Sequence, residues 1–149
     1  MQTKNPLENL KSVDLSHLSK EEAKEFTLLL EELEKREKRE SSMASFYDFV
    51  QTIWPEFIAG AHHKKMAEAF DKIANGESKR LIINMPPRHT KSEFASYLFP
   101  AYLLGKRPKL EIIEATHTAD LAINFGRRVR DLIESDHYAE IFPATQLKA

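Results

Sequence analysis

Lys91 and Ser92 stand side by side behind a rigid approach, Met85-Pro86-Pro87-Arg88-His89-Thr90. A lysine next to a hydroxyl at the start of a helix is suited to gripping a polyphosphate. The ammonium supplies a cation, and the hydroxyl can ligate Mg2+. The backbone N–H groups of a helix N-terminus face the anion. The amides from His89 to Ser92 are expected to form that nest. Arg88, inside the loop, is a second cation, and a guanidinium that reaches a γ-phosphate stabilises transition-state charge. Against the pattern G-x-x-x-x-G-K-[ST], only Lys91-Ser92 match; Met85 holds the first glycine position and Thr90 the second.

The flanks suggest how such a loop is held. Leu81-Ile82-Ile83 is a continuous apolar run, which suits a strand buried on both faces of a parallel sheet. Pro86 and Pro87 cannot continue a central strand, so a loop must follow. From Ser92 the chain reads as a helix through Phe94, Ala95, Tyr97, Leu98 and Leu103 to Gly105, and Pro100 predicts a kink or break within it. Leu110 to Ala115 reads as the next strand. Thr118 is a good N-cap for a helix whose buried stripe is Leu121, Phe125, Val129 and Leu132. Arg127, Arg128 and Arg130 lie off that stripe. They fit an arginine finger, contacts to DNA phosphates or a solvated helix face. The stretch from Ile141 to Ala149 offers no new element.

Upstream, Ala61 to Asn75 predicts a helix with Met66, Phe70 and Ile73 on one face, stopped by Asn75-Gly76. His62 and His63 open it. Adjacent histidines diverge on a helix and make a poor chelating pair, so they suit capping or solvent; the alternative is a hydrogen bond from His62 to an adenine edge. Phe46, Tyr47, Phe49, Trp54 and Phe57 form the densest aromatic segment. They read as core, or as a ring available to stack on a base. Pro55 disfavours helix at Trp54. Further back, Ser19 to Glu22 is a capping box, followed by Phe26, Leu30 and Leu33 on one face. The run from Glu34 to Glu40 is all charged, and Ser41-Ser42 breaks the pattern. This divides the chain into a charged helical arm, 1–42, and a body, 43–149.

Composition sets outer bounds. The 149 residues are 42% hydrophobic, enough for a core, with a net charge of −1 and no cysteine. A disulfide framework and a thiolate metal site are excluded, and no global basic field points to nucleic acid. No apolar run approaches the roughly 20 residues that span a bilayer, and the N-terminus lacks the apolar segment of a signal peptide. A soluble, cytosolic protein is expected.

The segment Arg80-Leu81-Ile82-Ile83-Asn84-Met85-Pro86-Pro87-Arg88-His89-Thr90-Lys91-Ser92 resembles the Walker A region of tailed-phage terminase large subunits. The likeness extends to His62-His63 with its helix, to Ala115-Thr116-His117-Thr118-Ala119-Asp120-Leu121-Ala122, and to Phe125-Gly126-Arg127-Arg128-Val129-Arg130-Asp131. It spans residues 46–143. The resemblance implies an α/β fold, a partial P-loop NTPase (RecA-like) with a parallel sheet and flanking helices, preceded by the charged N-terminal helix. It implies ATP and Mg2+ as cofactors and a motor that drives double-stranded DNA into a procapsid. The Walker A loop is 85–92. Pro87, Arg88, His89, Thr90, Lys91, Ser92 and His62 would contact nucleotide, Lys91 and Arg88 would be catalytic, and Ser92 would hold the metal. Portal protein, a small terminase subunit and sister subunits in a homo-oligomeric ring are the implied partners, in the cytoplasm of an infected bacterium.

The family usually places glycine just before the lysine, where this chain has Thr90. If that position is left-handed, a β-branched side chain costs on the order of 1–2 kcal/mol. No apolar run ending in Asp-Asp or Asp-Glu follows Lys91, and nuclease carboxylates are missing. The chain is therefore expected to be an N-terminal portion, with Walker B and nuclease residues outside it and little turnover alone. Two alternatives remain open: a vestigial loop in a non-catalytic module that docks on portal, small terminase or sister subunits, and part of another P-loop motor such as a helicase.

Overall fold

Helix α1, Lys20–Ala44, opens on the expected capping box. The Ser19 N–H donates to Glu22 Oε2 at 2.9 Å, and the Glu22 N–H donates back to Ser19 Oγ at 3.3 Å. Those bonds to Ser19 hold the Glu22 carboxyl below the usual range. Downstream of the cap, charged helix formers carry the helix on. It also runs through Ser41-Ser42, where the sequence suggested a break. Ser42 is fully buried, and its hydroxyl lies 2.9 Å from Thr52 Oγ1, so the side chain is satisfied inside the body of the protein.

The structure is a computed structural model, and it describes Leu10, residues 17–145 and Leu147. Most of the stretch 1–16 lies outside the described residues, including Pro6 and most of the non-periodic start. The chain divides into two units, Met1–Glu40 and Ser41–Ala149. The first contains most of α1. The second contains α2 (Phe46–Ile53), α3 (Ala61–Ala74), α4 (Glu93–Leu98 continuing through Phe99–Lys106), α5 (Ala119–Ile133) and α6 (Asp136–Ile141).

The expected parallel sheet is not there. Every regular element among the described residues is helical. The segments 80–86 and 110–116 run between helices without pairing to one another. Ile82 is 85% exposed and Ile113 is 95% exposed, the opposite of strands buried on both faces. The physical reason is that a short apolar run sets only a local preference. A strand also needs a registered neighbour to take its N–H and C=O groups, and neither run has one. Ile83 and Met85 pack on the helical core from one side.

That core is built around Phe46. Its ring lies 5.2 Å from Phe70, 5.6 Å from Phe94 and 5.4 Å from Phe99, each near edge-to-face, and 5.4 Å from Tyr102. Ser45 caps α2, accepting from the Asp48 N–H. Asp71 on α3 takes the Phe46 N–H at 2.9 Å and sits 3.4 Å from the Tyr102 hydroxyl. Burial, and then the nearby Asp71 carboxylate, push the Tyr102 phenol far up. The aromatic segment is thus the keystone of the helical body.

Three details follow from single residues. Gly76 has φ +79°, the left-handed stop expected for α3. Pro100 sits where α4 changes from the wide turn of Glu93–Leu98 to regular helix at Phe99. The helix widens over Glu93–Leu98, where the Phe99 N–H reaches back to Phe94 O, and this gives the proline ring room. Gly105 is not the end of that helix, which reaches Lys106. A Cβ at Gly105 would lie 2.4 Å from the Phe142 ring, so its role is to admit that side chain. Phe142 follows α6, a short helix unexpected from the sequence; Ser135 caps it, and its Tyr138 hydroxyl donates to Ala101 O at 2.8 Å.

Candidate phosphate-binding loop

The loop is suspended between the starts of two helices. Below it, α3 begins at Gly60, whose N–H donates to His63 Nδ1 at 2.9 Å. This is half of a capping box, with imidazole making the return bond usually made by Glu or Gln; Gly60 has no side chain to make the other. Above it, the Thr90 carbonyl accepts the first bond of the next helix, from the Phe94 N–H at 2.9 Å. Between them the chain turns sharply. Arg88 has φ 62° and Thr90 has φ 54°, the two non-glycine residues with positive φ among those described. A left-handed residue next to right-handed neighbours turns successive N–H groups toward one side, the geometry of an anion nest.

The side chains stiffen this turn. His89 Nδ1 lies 2.9 Å from Pro87 O. The Thr90 hydroxyl donates to the His89 carbonyl at 2.7 Å and meets His63 Nε2 at 2.7 Å. His62 and His63 rings are 3.8 Å apart, and His62 and His89 rings are 5.7 Å apart. Burial, then the neighbouring His62 and His89, lower the pKa of His63. Phe57 and Phe94 pack on the same ring, with centroids at 4.7 Å and 5.4 Å.

Lys91 and Ser92 face a cavity of about 370 Å³. Its walls include Phe70, Leu81 and Ile83, with Lys91, Ser92 and Ser96 as the polar positions. Lys91 forms no ion pair among the described residues. The Ser92 hydroxyl makes no capping bond to its own helix. Both groups therefore fit a phosphate and its Mg2+. Among the described residues no three His, Asp or Glu converge to hold a metal by themselves, so Mg2+ here would rest on Ser92, phosphate oxygens and water.

The expected residues separate into groups. Pro87, Arg88, His89, Thr90, Lys91 and Ser92 form one continuous turn. His62 is exposed and reaches it through the His89 ring. Arg127 and Arg130 are exposed, and Arg130 is paired with Asp131 at 2.6 Å. Arg128 is held elsewhere: Nη1 and Nη2 bond both Glu93 oxygens, at 3.0 and 2.5 Å, and its guanidinium lies 4.2 Å from the Tyr97 ring. Trp54 is exposed and packs beside Phe57, at 5.1 Å between rings, and does not line the cavity with Lys91 and Ser92, whose aromatic walls are Phe70 and Phe99.

The capping role expected of the His62-His63 pair falls to His63, which is buried and bonds at both ring nitrogens; its bond to Thr90 and the residue Glu93 were missed. The spacing from Gly60 to His63, N-cap to N3, was the available signal. Glu93, partner of Arg128, carried none, since nothing local links them. No protein-family model, curated protein or solved structure matches the chain.

Proposed function

We propose that Pro87–Ser92 is the phosphate-gripping loop of a Mg2+-dependent ATP-binding protein, and that the chain works as part of a DNA-packaging motor of the terminase large-subunit kind. The observation that carries the proposal is local. Two left-handed residues, Arg88 and Thr90, lead into a helix whose first side chains, Lys91 and Ser92, open on one cavity. The residue order of this loop and its flanks, described above, supports the motor assignment. Lys91 neutralises the β- and γ-phosphates, and Ser92 ligates Mg2+. The amides of residues 88–92 bind phosphate oxygens, and Arg88, exposed in the same turn, is a second cation. Bound ATP supplies the free energy that such a motor turns into movement of double-stranded DNA, with portal protein and a small terminase subunit as partners. The proposal does not depend on a parallel sheet, since the loop is held here by two helix starts and His63.

Calorimetric titration with Mg-ATP tests it. The wild-type chain binds saturably, EDTA weakens binding, and Lys91→Ala weakens it at least tenfold. Absence of binding at millimolar ATP overturns it. That outcome favours a second reading, a docking module, which one observation supports: on α1, Leu28 and Leu29 are more than half exposed and Leu33 is 42% exposed.

A further inference from the structure

We propose that His63 is the positioning residue of the loop: through Thr90 it locks the left-handed turn that aims the loop's amides. The Gly60 N–H points at Nδ1, so Nδ1 must be an acceptor. The proton therefore sits on Nε2, which donates to Thr90 Oγ1. Thr90 Oγ1, its lone pair occupied, donates its own proton to the His89 carbonyl. This relay of three bonds runs in one direction only, from the start of α3 to the middle of the loop. It ends on the backbone beside Thr90, whose φ of 54° is unfavourable for a β-branched residue. A threonine is useful at this position because its hydroxyl gives the latch something to hold.

The anchor at Gly60 requires a neutral imidazole. An imidazolium carries N–H at both nitrogens, and its Nδ1–H would face the Gly60 N–H. The titratable groups acting on His63 are His62 on its own helix and His89 in the loop; from α4 and from the segment before Gly60 it meets the rings of Phe94 and Phe57. Acid therefore breaks the bond that anchors the ring to the start of α3, while Nε2–H remains a donor to Thr90.

The consequence for nucleotide affinity rests on the ATP reading above, whereas the latch itself can be tested without nucleotide. In the wild-type chain, nitrogen NMR of the His63 ring shows the neutral form protonated at Nε2 and bare at Nδ1; the opposite tautomer overturns the proposal. Amide hydrogen exchange across residues 88–94 is then followed in His63→Ala, Thr90→Gly and the double variant. His63→Ala speeds exchange there at least tenfold. In the Thr90→Gly background the same substitution changes it less than threefold, because no hydroxyl remains to hold. Equal acceleration in both backgrounds makes His63 a packing residue and overturns the proposal. A wild-type chain with the Nε2–H tautomer and non-additive exchange, but no ATP binding, leaves the latch standing and removes the ATP reading alone.

Discussion

Replacing Arg128 decides whether that guanidinium serves the fold or a phosphate. Its fork spans both oxygens of Glu93, the residue directly after Ser92, and its plane lies over Tyr97. Both partners are about one-third exposed, at 37% and 34% of their side chains. A pair so open to water is worth only about 0.2–1 kcal/mol. Stacking on Tyr97 adds roughly 0.5–1 kcal/mol. Arg128→Ala should then cost about 1–2 kcal/mol, or a fall in Tm of about 4–8 °C for a unit of this size. Arg128→Lys keeps the charge but loses the fork and the flat contact, and should fall about midway. In 1 M salt the Debye length shrinks to about 3 Å, so the difference from wild type should narrow without vanishing. Thermal unfolding in low and high salt, with a Mg-ATP titration of the same variant, is the assay. An Arg128→Ala chain that melts like wild type yet loses tenfold in ATP affinity would refute the reasoning and make Arg128 a phosphate ligand.

Other outcomes follow from the same structure. Phe46→Ala empties the centre of five packed rings and should cost about 3–5 kcal/mol in urea unfolding; a loss under about 1 kcal/mol would mean the core is not organised around it. His63 is held neutral, with its folded pKa below the unfolded value near 6.5. The neutral form therefore contributes stability above that value, and the contribution is lost as pH falls toward the folded pKa. Stability of the wild type should decline more steeply than that of His63→Gln between about pH 7.5 and 5, and parallel curves would contradict the assignment. Tyr138→Phe removes the second donor to the Ala101 carbonyl, which lies within α4, and should cost about 0.5–1.5 kcal/mol; an unchanged unfolding midpoint would mean the hydroxyl adds nothing beyond the helix bond.

What could be seen in the sequence was local, and what could not was long-range. The Ser19 capping box, the Asn75-Gly76 stop and the Thr118 cap depend on residues within a few positions of one another. So do the Phe125, Val129 and Leu132 stripe and the turn from Pro87 to Ser92. The sheet failed because Leu81-Ile82-Ile83 and Leu110 to Ala115 express a preference that only a paired neighbour can fulfil. The kink or break expected at Pro100 takes the form of a change of helix type, a wide turn over Glu93–Leu98 joined to regular helix from Phe99. Gly105 could not be understood without Phe142, nor Arg128 without Glu93, because both pairs meet only in the folded chain. In the loop itself, the threonine that weakened the motif on paper is the residue His63 holds.

The central claim is that the turn from Arg88 to Ser92 is a polyphosphate site. Backbone amide NMR during titration with Mg-ATP measures it most directly. Saturable shifts are expected, largest at His89, Thr90, Lys91 and Ser92, reproduced by Mg-pyrophosphate and absent in Lys91→Ala. Shifts scattered over the surface, or concentrated on α1 while these four amides stay unmoved, would contradict it.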